Sequence, residues 1–370
     1  MIPVNDPLLN GKEKEYLLQC ITDGWISSDG PFVKQFEEMF AKFVGTKHGI
    51  AVCNGTVAIE LAIASLDIQP GDEIILPAHT IISCALGIIR RGAKPVLVDV
   101  DPETWTMNAA EVEKKITIKT KAIMPVHMFG HSCDMDPLIA LAEKYDLHII
   151  EDSAEAHGAT YKGRQCGSMS DVSTFSFYAN KIVTTGEGGM VMTDNDEIAA
   201  RARSFRNLCF LPQQRFLHEE LGYNFRITNL QAAVGVAQME RVEYLLERKK
   251  AQGKKYTELF GDLNGITLQG VKEWATHVYW VFGLLLNNNV PFNAFEWAKK
   301  LSDAGVQTRP FFWPLHEQPA FHKLGLFLNE HYPVTENLAR RGLYVPSGMA
   351  LTEEQMEKVS LAVHETLRGI

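Results

Sequence analysis

The chain has 370 residues, more than one ordinary hydrophobic core holds, and is 46% hydrophobic and 22% charged, the balance of a globular protein. Its net charge of −9 comes without a long basic run, which argues against nucleic acid and anionic membranes as partners. No stretch of about 18 apolar residues reads as a membrane span, and MIPVNDPLLNGKEKEYLLQ lacks the basic and apolar regions of a signal peptide.

The first 30 or so residues read as a segment that packs back onto a later domain or caps a site. From about residue 47 to 200, short apolar runs alternate with helical patterns. GIAVC precedes Asn54-Gly55-Thr56 and the helix-like VAIELAIASL; EIILP precedes His79 and an amphipathic run to Arg91. PVLVDVD, AIMPVHMFG and HIIEDS repeat the theme, each followed by a polar turn or a helix. This is the α/β signature of a mostly parallel sheet between helices. GMVMTD reads as one more strand, with an antiparallel direction open to it. Residues 229–260 form a long amphipathic link. Beyond it HVYWVFGLLL reads as a strand, FNAFEWAKKLSDAG as a helix and the last twenty residues as another helix. The expected division is an N-terminal segment and large domain over 1–250 and a smaller C-terminal α+β domain over 251–370.

Cys20, Cys53, Cys84, Cys133, Cys166 and Cys209 are scattered without CxxC pairs, as suits reduced thiols of a cytoplasmic protein. None of the twelve histidines forms an HxxxH pair beside a suitable carboxylate, so no metal site is expected.

The chemistry concentrates in residues 173–189, STFSFYANKIVTTGEGG. A solvated lysine has a pKa of about 10.4 and is a poor nucleophile at neutral pH; burial lowers that value and allows reaction with an aldehyde. Lys181 lies between apolar and small residues that argue against exposure. Asp152 ends the apolar run HIIED, where an open α/β sheet places its chemistry. It is either a helix cap or the partner of a protonated ring nitrogen. A lysine and a carboxylate so arranged meet the needs of a pyridoxal phosphate (PLP) enzyme. Asn54-Gly55-Thr56, between a strand and a helix, aims backbone amides and a hydroxyl at an anion on the helix N-terminus. Ser176 can add a second hydroxyl. His79 either lies flat on a ring or is an ordinary loop histidine, and His157 suits a supporting role. TGEGG is not a nucleotide loop: it lacks the GxxxxGK[ST] spacing, and its lysine precedes the glycines, which instead let the backbone turn tightly.

Together NGTVA, EDSAEAHG, STFSFYANK, TTGEGGM and GYNFRITNLQAA resemble the DegT/DnrJ/EryC1/StrS sugar aminotransferases, of PLP fold type I. The resemblance runs from GWISSDGPFVKQFE near the start to TRPFFWPLH near residue 310. It implies a large domain built on a mostly parallel seven-stranded sheet. It also implies that Lys181 bonds the cofactor aldehyde and shuttles the proton, Asp152 holds the ring nitrogen, Glu155 the ring hydroxyl, and His79 takes the ring-stacking place. Gly55, Thr56 and Ser176 would bind phosphate, joined by Asn224 lent from a neighbouring subunit, which makes a homodimer with two shared sites. A related branch carries histidine at the lysine position and dehydrates; Lys181 places this chain with the aminotransferases.

The implied reaction moves the amino group of L-glutamate to the keto carbon of a nucleotide-linked 4-keto-6-deoxy sugar. VHMFGHSCDMD, STFSFYANK and TRPFFWPLH resemble the members that use a GDP-linked, mannose-derived sugar. Trp25, Ser27, Ser28, Arg309 and His316 lie in segments similar to sugar-nucleotide contacts. Arg226 and Arg309 suit phosphates or a donor carboxylate, or are ordinary ion pairs. Phe311, Phe312 and Trp313 either stack on a base or sugar or pack in the core. Rival readings are an aminotransferase for a UDP- or dTDP-linked sugar, a 3-keto sugar or an eight- or nine-carbon keto acid, and a non-catalytic regulator. Intact Lys181, Asp152 and Ser176 argue against the regulator.

Overall fold

The computed structural model describes residues 1–211 and 213–369. Five strands come first: β1 (His48–Val52), β2 (Glu73–Pro77), β3 (Lys94–Val98), β4 (Thr120–Ile123) and β5 (His148–Asp152). A short ribbon, β6 (Thr160–Tyr161) and β7 (Arg164–Gln165), separates them from β8 (Val172–Ser176) and β9 (Gly189–Thr193). Without the ribbon these strands form one seven-stranded sheet in the order β1-β9-β8-β5-β4-β2-β3. All pairings from β8 to β3 are parallel, while β9 runs antiparallel to both of its neighbours. The mostly parallel seven-stranded sheet is as expected, and GMVMT is its antiparallel member.

Burial follows from composition. Every residue of β2, β8 and β9 is buried, as strands covered on both faces require. Helices α1 (Glu13–Asp23) and α2 (Pro31–Val44) pack against the helix Asn229–Met239. Helix α3 (Gly55–Ser65) packs on β8 and β9 and against α4 (Ile82–Arg90). Its apolar residues face nearly every direction because protein surrounds it.

Three sequence expectations shift in detail. AIMPVHMFG leaves the sheet after Ile123: Pro125 has no N–H to donate, and its carbonyl instead accepts from Asp152 N at 2.9 Å. The 229–260 stretch is two helices, Asn229–Met239 and Val242–Phe260, separated at Arg241, whose φ of −130° is not helical. In HVYWVFGLLL the strand covers only its second half.

That strand, β12 (Phe282–Leu286), belongs to a second, antiparallel sheet with β10 (Ile266–Leu268), β13 (Arg309–Pro310) and β14 (Gly342–Val345), in the order β10-β12-β14-β13. The intervening β11 (Ala275–Thr276) pairs with β6. Tyr256, Phe260, Phe282, Trp297, Leu343 and Val359 anchor a hydrophobic cluster separate from the main one. Helix Val242–Phe260 serves both, giving Leu245 and Leu246 to the main cluster and Tyr256 and Phe260 to the second. The N-terminal residues do pack back: Ile2 bridges Val306, and Val4 O accepts from Ser347 N at 3.0 Å. No described helix is long and apolar enough to cross a membrane.

Candidate active site

A cavity of about 650 Å³ opens where β5 and β8 end and α3 begins. Side chains alternate along a strand, so the two acids that close β5 face opposite ways. Glu151 turns inward, where His127 Nε2 at 2.9 Å, the Gly167 and Met169 amides and the Ser170 hydroxyl satisfy it. Asp152 turns to the cavity and is 2% exposed. Its Oδ1 accepts from Ala154 N at 3.0 Å and its Oδ2 from the Cys84 thiol at 3.1 Å.

Glu155 lies one turn of chain further on and also lines the cavity. Phe129 N donates to its Oε2 at 2.8 Å. Phe129 holds φ at 58°, uncommon for a bulky residue, in the tight turn that makes this donation. Burial pushes the Glu155 carboxyl up to about 7; Lys181 and the Phe129 amide pull the other way, and the Asp152 charge adds to the rise.

Lys181 sits in the segment that joins β8 to β9, its side chain 10% exposed. Nζ is 4.0 Å from Glu155 Oε1 and 3.6 Å from the centre of the Trp280 indole. Burial lowers its proton affinity below the ordinary lysine value, against the opposing pull of Glu155 and Asp152. The glycine turn that follows holds Gly186 at φ 81°, as the sequence required.

The third piece is the start of α3. Asn54 Oδ1 caps it by accepting from Val57 N at 3.0 Å, and Thr56 Oγ1 meets Ser83 Oγ at 2.9 Å. A Cβ on Gly55 would come within 2.7 Å of Ser176 Cβ, so glycine is what lets the helix start against the end of β8. An amine of lowered basicity, a buried carboxylate and a hydroxyl-flanked helix N-terminus share one cavity. This donor set fits PLP, whose aldehyde, ring nitrogen and phosphate need those three partners.

Gly55, Thr56, Asp152, Glu155, Ser176 and Lys181 therefore come together. His79 stands behind the wall, fully buried among Phe129, Phe311 and Phe312, with both ring nitrogens unpartnered and its basicity lowered to about 3 by burial. Arg309 lines an adjoining cavity of about 250 Å³ that shares Tyr178, Asn180, Trp280 and Tyr344 with the main one. His316 lines neither. Its Nε2 meets Glu336 at 3.0 Å, and Glu317 beside it is held by Arg340. These three acid and imidazole groups also lie close enough to hold a metal ion, but Arg340 already neutralises Glu317. Trp25, Ser27 and Ser28 lie on the loop after α1, and Asn224 and Arg226 lie beyond β9; none lines the cavity. Trp25 is 50% exposed, and Arg226 donates to Asn207 Oδ1 at 2.7 Å.

Phe312, open to stacking or core packing in the sequence, lines the cavity; Trp280 and Tyr344 from the second half of the chain, and Cys84 behind Asp152, escaped sequence reading. Trp280 carried one faint signal, its place in an aromatic run, which reads equally well as core.

Residues 7–364 match the DegT/DnrJ/EryC1/StrS aminotransferase family. A GDP-perosamine synthase of Caulobacter vibrioides is 42% identical over 367 residues, covering 99% of this chain and 98% of the relative. A protein of the same name from Escherichia coli O157:H7 is 39% identical, with 98% of each chain covered. The crystal structure of S. venezuelae DesV in complex with ketimine intermediate superposes with a TM-score of 0.90 at 34% identity, over 97% of this chain and 95% of that one. The chain is a PLP-dependent sugar aminotransferase and belongs to the DegT/DnrJ/EryC1/StrS family.

Proposed function

We propose that the chain transfers the amino group of L-glutamate to the keto carbon of GDP-4-keto-6-deoxymannose, giving GDP-perosamine and 2-oxoglutarate for a surface polysaccharide or glycoside. Full-length similarity to GDP-perosamine synthases supports the sugar. The observation that carries the chemistry is the Lys181 amine of lowered basicity, facing Asp152 and Glu155 across one cavity.

When bound, PLP supplies an aldehyde that carries the amino group and a ring that takes up the electron pair of a broken C–H bond. Lys181 Nζ moves the proton in each half-reaction, which requires a neutral amine at working pH. Asp152 would pair with the ring nitrogen, and Glu155, its carboxyl pushed up by burial, would hold the ring hydroxyl. Gly55, Thr56 and Ser176 would hold the phosphate against the positive end of α3. His79 supports the ring from behind. Trp280, with its ring 3.6 Å from Nζ, keeps water from the amine.

We assign Asn224, Arg226, Trp25, Ser27 and Ser28 to the site of a second copy in a homodimer. The support is that none of them lines the main cavity of its own chain, while Leu18, Ile21, Trp25 and Ile26 leave apolar surface at α1 and the loop after it. Arg309 would meet the substrate from the adjoining cavity, with His316 anchoring its segment through Glu336. The division near residue 250 is supported by the helix that serves both hydrophobic clusters. A cytoplasmic location is supported by six unbridged cysteines.

The test is amine transfer from L-glutamate to a panel of GDP-, UDP- and dTDP-linked keto sugars. GDP-4-keto-6-deoxymannose should react fastest. If it is inert while another sugar reacts, the sugar assignment is wrong and family membership stands.

A further inference from the structure

The first turn of α4 touches both ends of the cavity floor. Ser83 Oγ meets Thr56 Oγ1 at 2.9 Å, on the phosphate side. The next residue, Cys84, reaches Asp152 Oδ2 at 3.1 Å, on the ring-nitrogen side. Thr80 Oγ1 lies 3.4 Å behind the same sulfur, one turn earlier. Cys84 is fully buried, and nothing in the assigned reaction uses it.

A carboxylate offers about four lone-pair positions, and a buried one is costly unless donors fill them. Asp152 has Ala154 N–H on Oδ1 and the Cys84 thiol on Oδ2. We infer that Cys84 is a positioning residue: its S–H, polarised from behind by Thr80, fixes the plane of the Asp152 carboxylate and leaves the cavity-facing lone pairs for the cofactor's ring N–H. The inference rests on the reading of Asp152 as the ring-nitrogen partner. Burial, and then the Asp152 charge, hold the thiol well above its ordinary pKa, so it stays an S–H donor and never becomes a nucleophile. A hydrogen bond to a charged acceptor is stronger than a neutral one.

The experiment compares Cys84→Ser, which keeps a donor, with Cys84→Val, which fills the space without one. Asp152→Asn serves as the reference. Two readouts avoid activity altogether: the PLP dissociation constant of cofactor-free protein, and the infrared S–H stretch assigned by its loss in Cys84→Val. We expect Cys84→Ser to bind PLP within about threefold of wild type and Cys84→Val to bind about tenfold more weakly. The S–H band should move to higher frequency in Asp152→Asn, because the strongest acceptor is gone. Wild-type affinity in Cys84→Val with weakened Cys84→Ser would show that the side chain only fills space, and would overturn the inference alone. Failure of the band to move would also overturn it, even if the Cys84 variants fold poorly. Unchanged PLP affinity in Asp152→Asn would remove the ring-nitrogen reading and this inference with it.

Discussion

Asp152, Ser176 and Lys181 are gathered by one sheet, whereas Trp25, Ser27, Ser28, Asn224 and Arg226 lie on loops that the same chain leaves outside the cavity. The first group owes its place to register. β5 and β8 are neighbours, Asp152 pairs with Thr174, and the next outward residue of β8 is Ser176. The second group has only isolated bridges, Arg226 to Val52 and Asn224 to Asn207, and no place in the strand ladder. A hydrogen bond from Asn229 Nδ2 to Trp25 O, at 2.8 Å, and one from Asn229 N to Ser27 O hold the loop after α1 without turning it to the cavity. Backbone pairing completes the floor within one chain; in the proposed homodimer the loops would serve the site of the second copy.

The comparison is tested most severely at Lys181. Replacing it with alanine should lower turnover on the order of 10⁴-fold while leaving the sheet and its melting temperature intact. Near-normal amine transfer by the purified variant would remove the floor as the seat of the chemistry.

Glu155 offers a stability test of the same region. Burial raises its carboxyl from the ordinary 4.5 to about 7, so the folded protein prefers the protonated form. The associated stabilisation is full below about pH 4.5 and is lost as pH climbs through about 7. Against Glu155→Gln, which does not titrate, the cofactor-free wild type should lose about 3 kcal/mol of relative stability over that window. Urea unfolding at several pH values reads this directly, and a constant difference would count against it.

Gly189→Ala probes how tightly the floor is built. Its new Cβ would lie 2.4 Å from Asn54 O, a backbone atom of the turn into α3. We expect a loss of about 1–3 kcal/mol in thermal unfolding, with weaker PLP binding. A variant as stable as wild type would mean that α3 can shift.

The smallest effect sharpens the other side. Asn224→Ala should reduce activity about tenfold, as loss of one hydrogen bond to a charged group does. Co-refolding it in equal amounts with Lys181→Ala should restore roughly a quarter of wild-type activity, since about half of the dimers then carry one intact site. No gain over the separate variants would place Asn224 in its own chain's business.

Most of the floor was legible in the sequence because strand ends and helix starts are local events. Asn54-Gly55-Thr56 after an apolar run, and Asp152 at the close of another, declare their geometry within a few residues. Trp280 could not be read this way. Tyr279 turns at φ 53° just before β12 begins, and the indole then reaches Asn180 O at 2.9 Å and the Lys181 amine across the whole intervening fold. Cys84 reads in sequence as one more scattered thiol, since nothing near it announces Asp152. His316 sat in a motif with a plausible role, yet its ring is committed to Glu336, a residue of the following helix Pro333–Arg341.

The antiparallel direction of β9 has a kinetic consequence. β8 and β9 follow one another in the chain and pair directly, from Ser173 with Met192 to Ser176 with Gly189. Their loop spans residues 177–188, shorter than any crossover between the parallel neighbours, and contacts nearer in sequence form at lower entropic cost. The hairpin bearing Lys181 is thus suited to an early step of folding. The reactive amine rides on the connection with the lowest closure cost among neighbouring strands of the sheet.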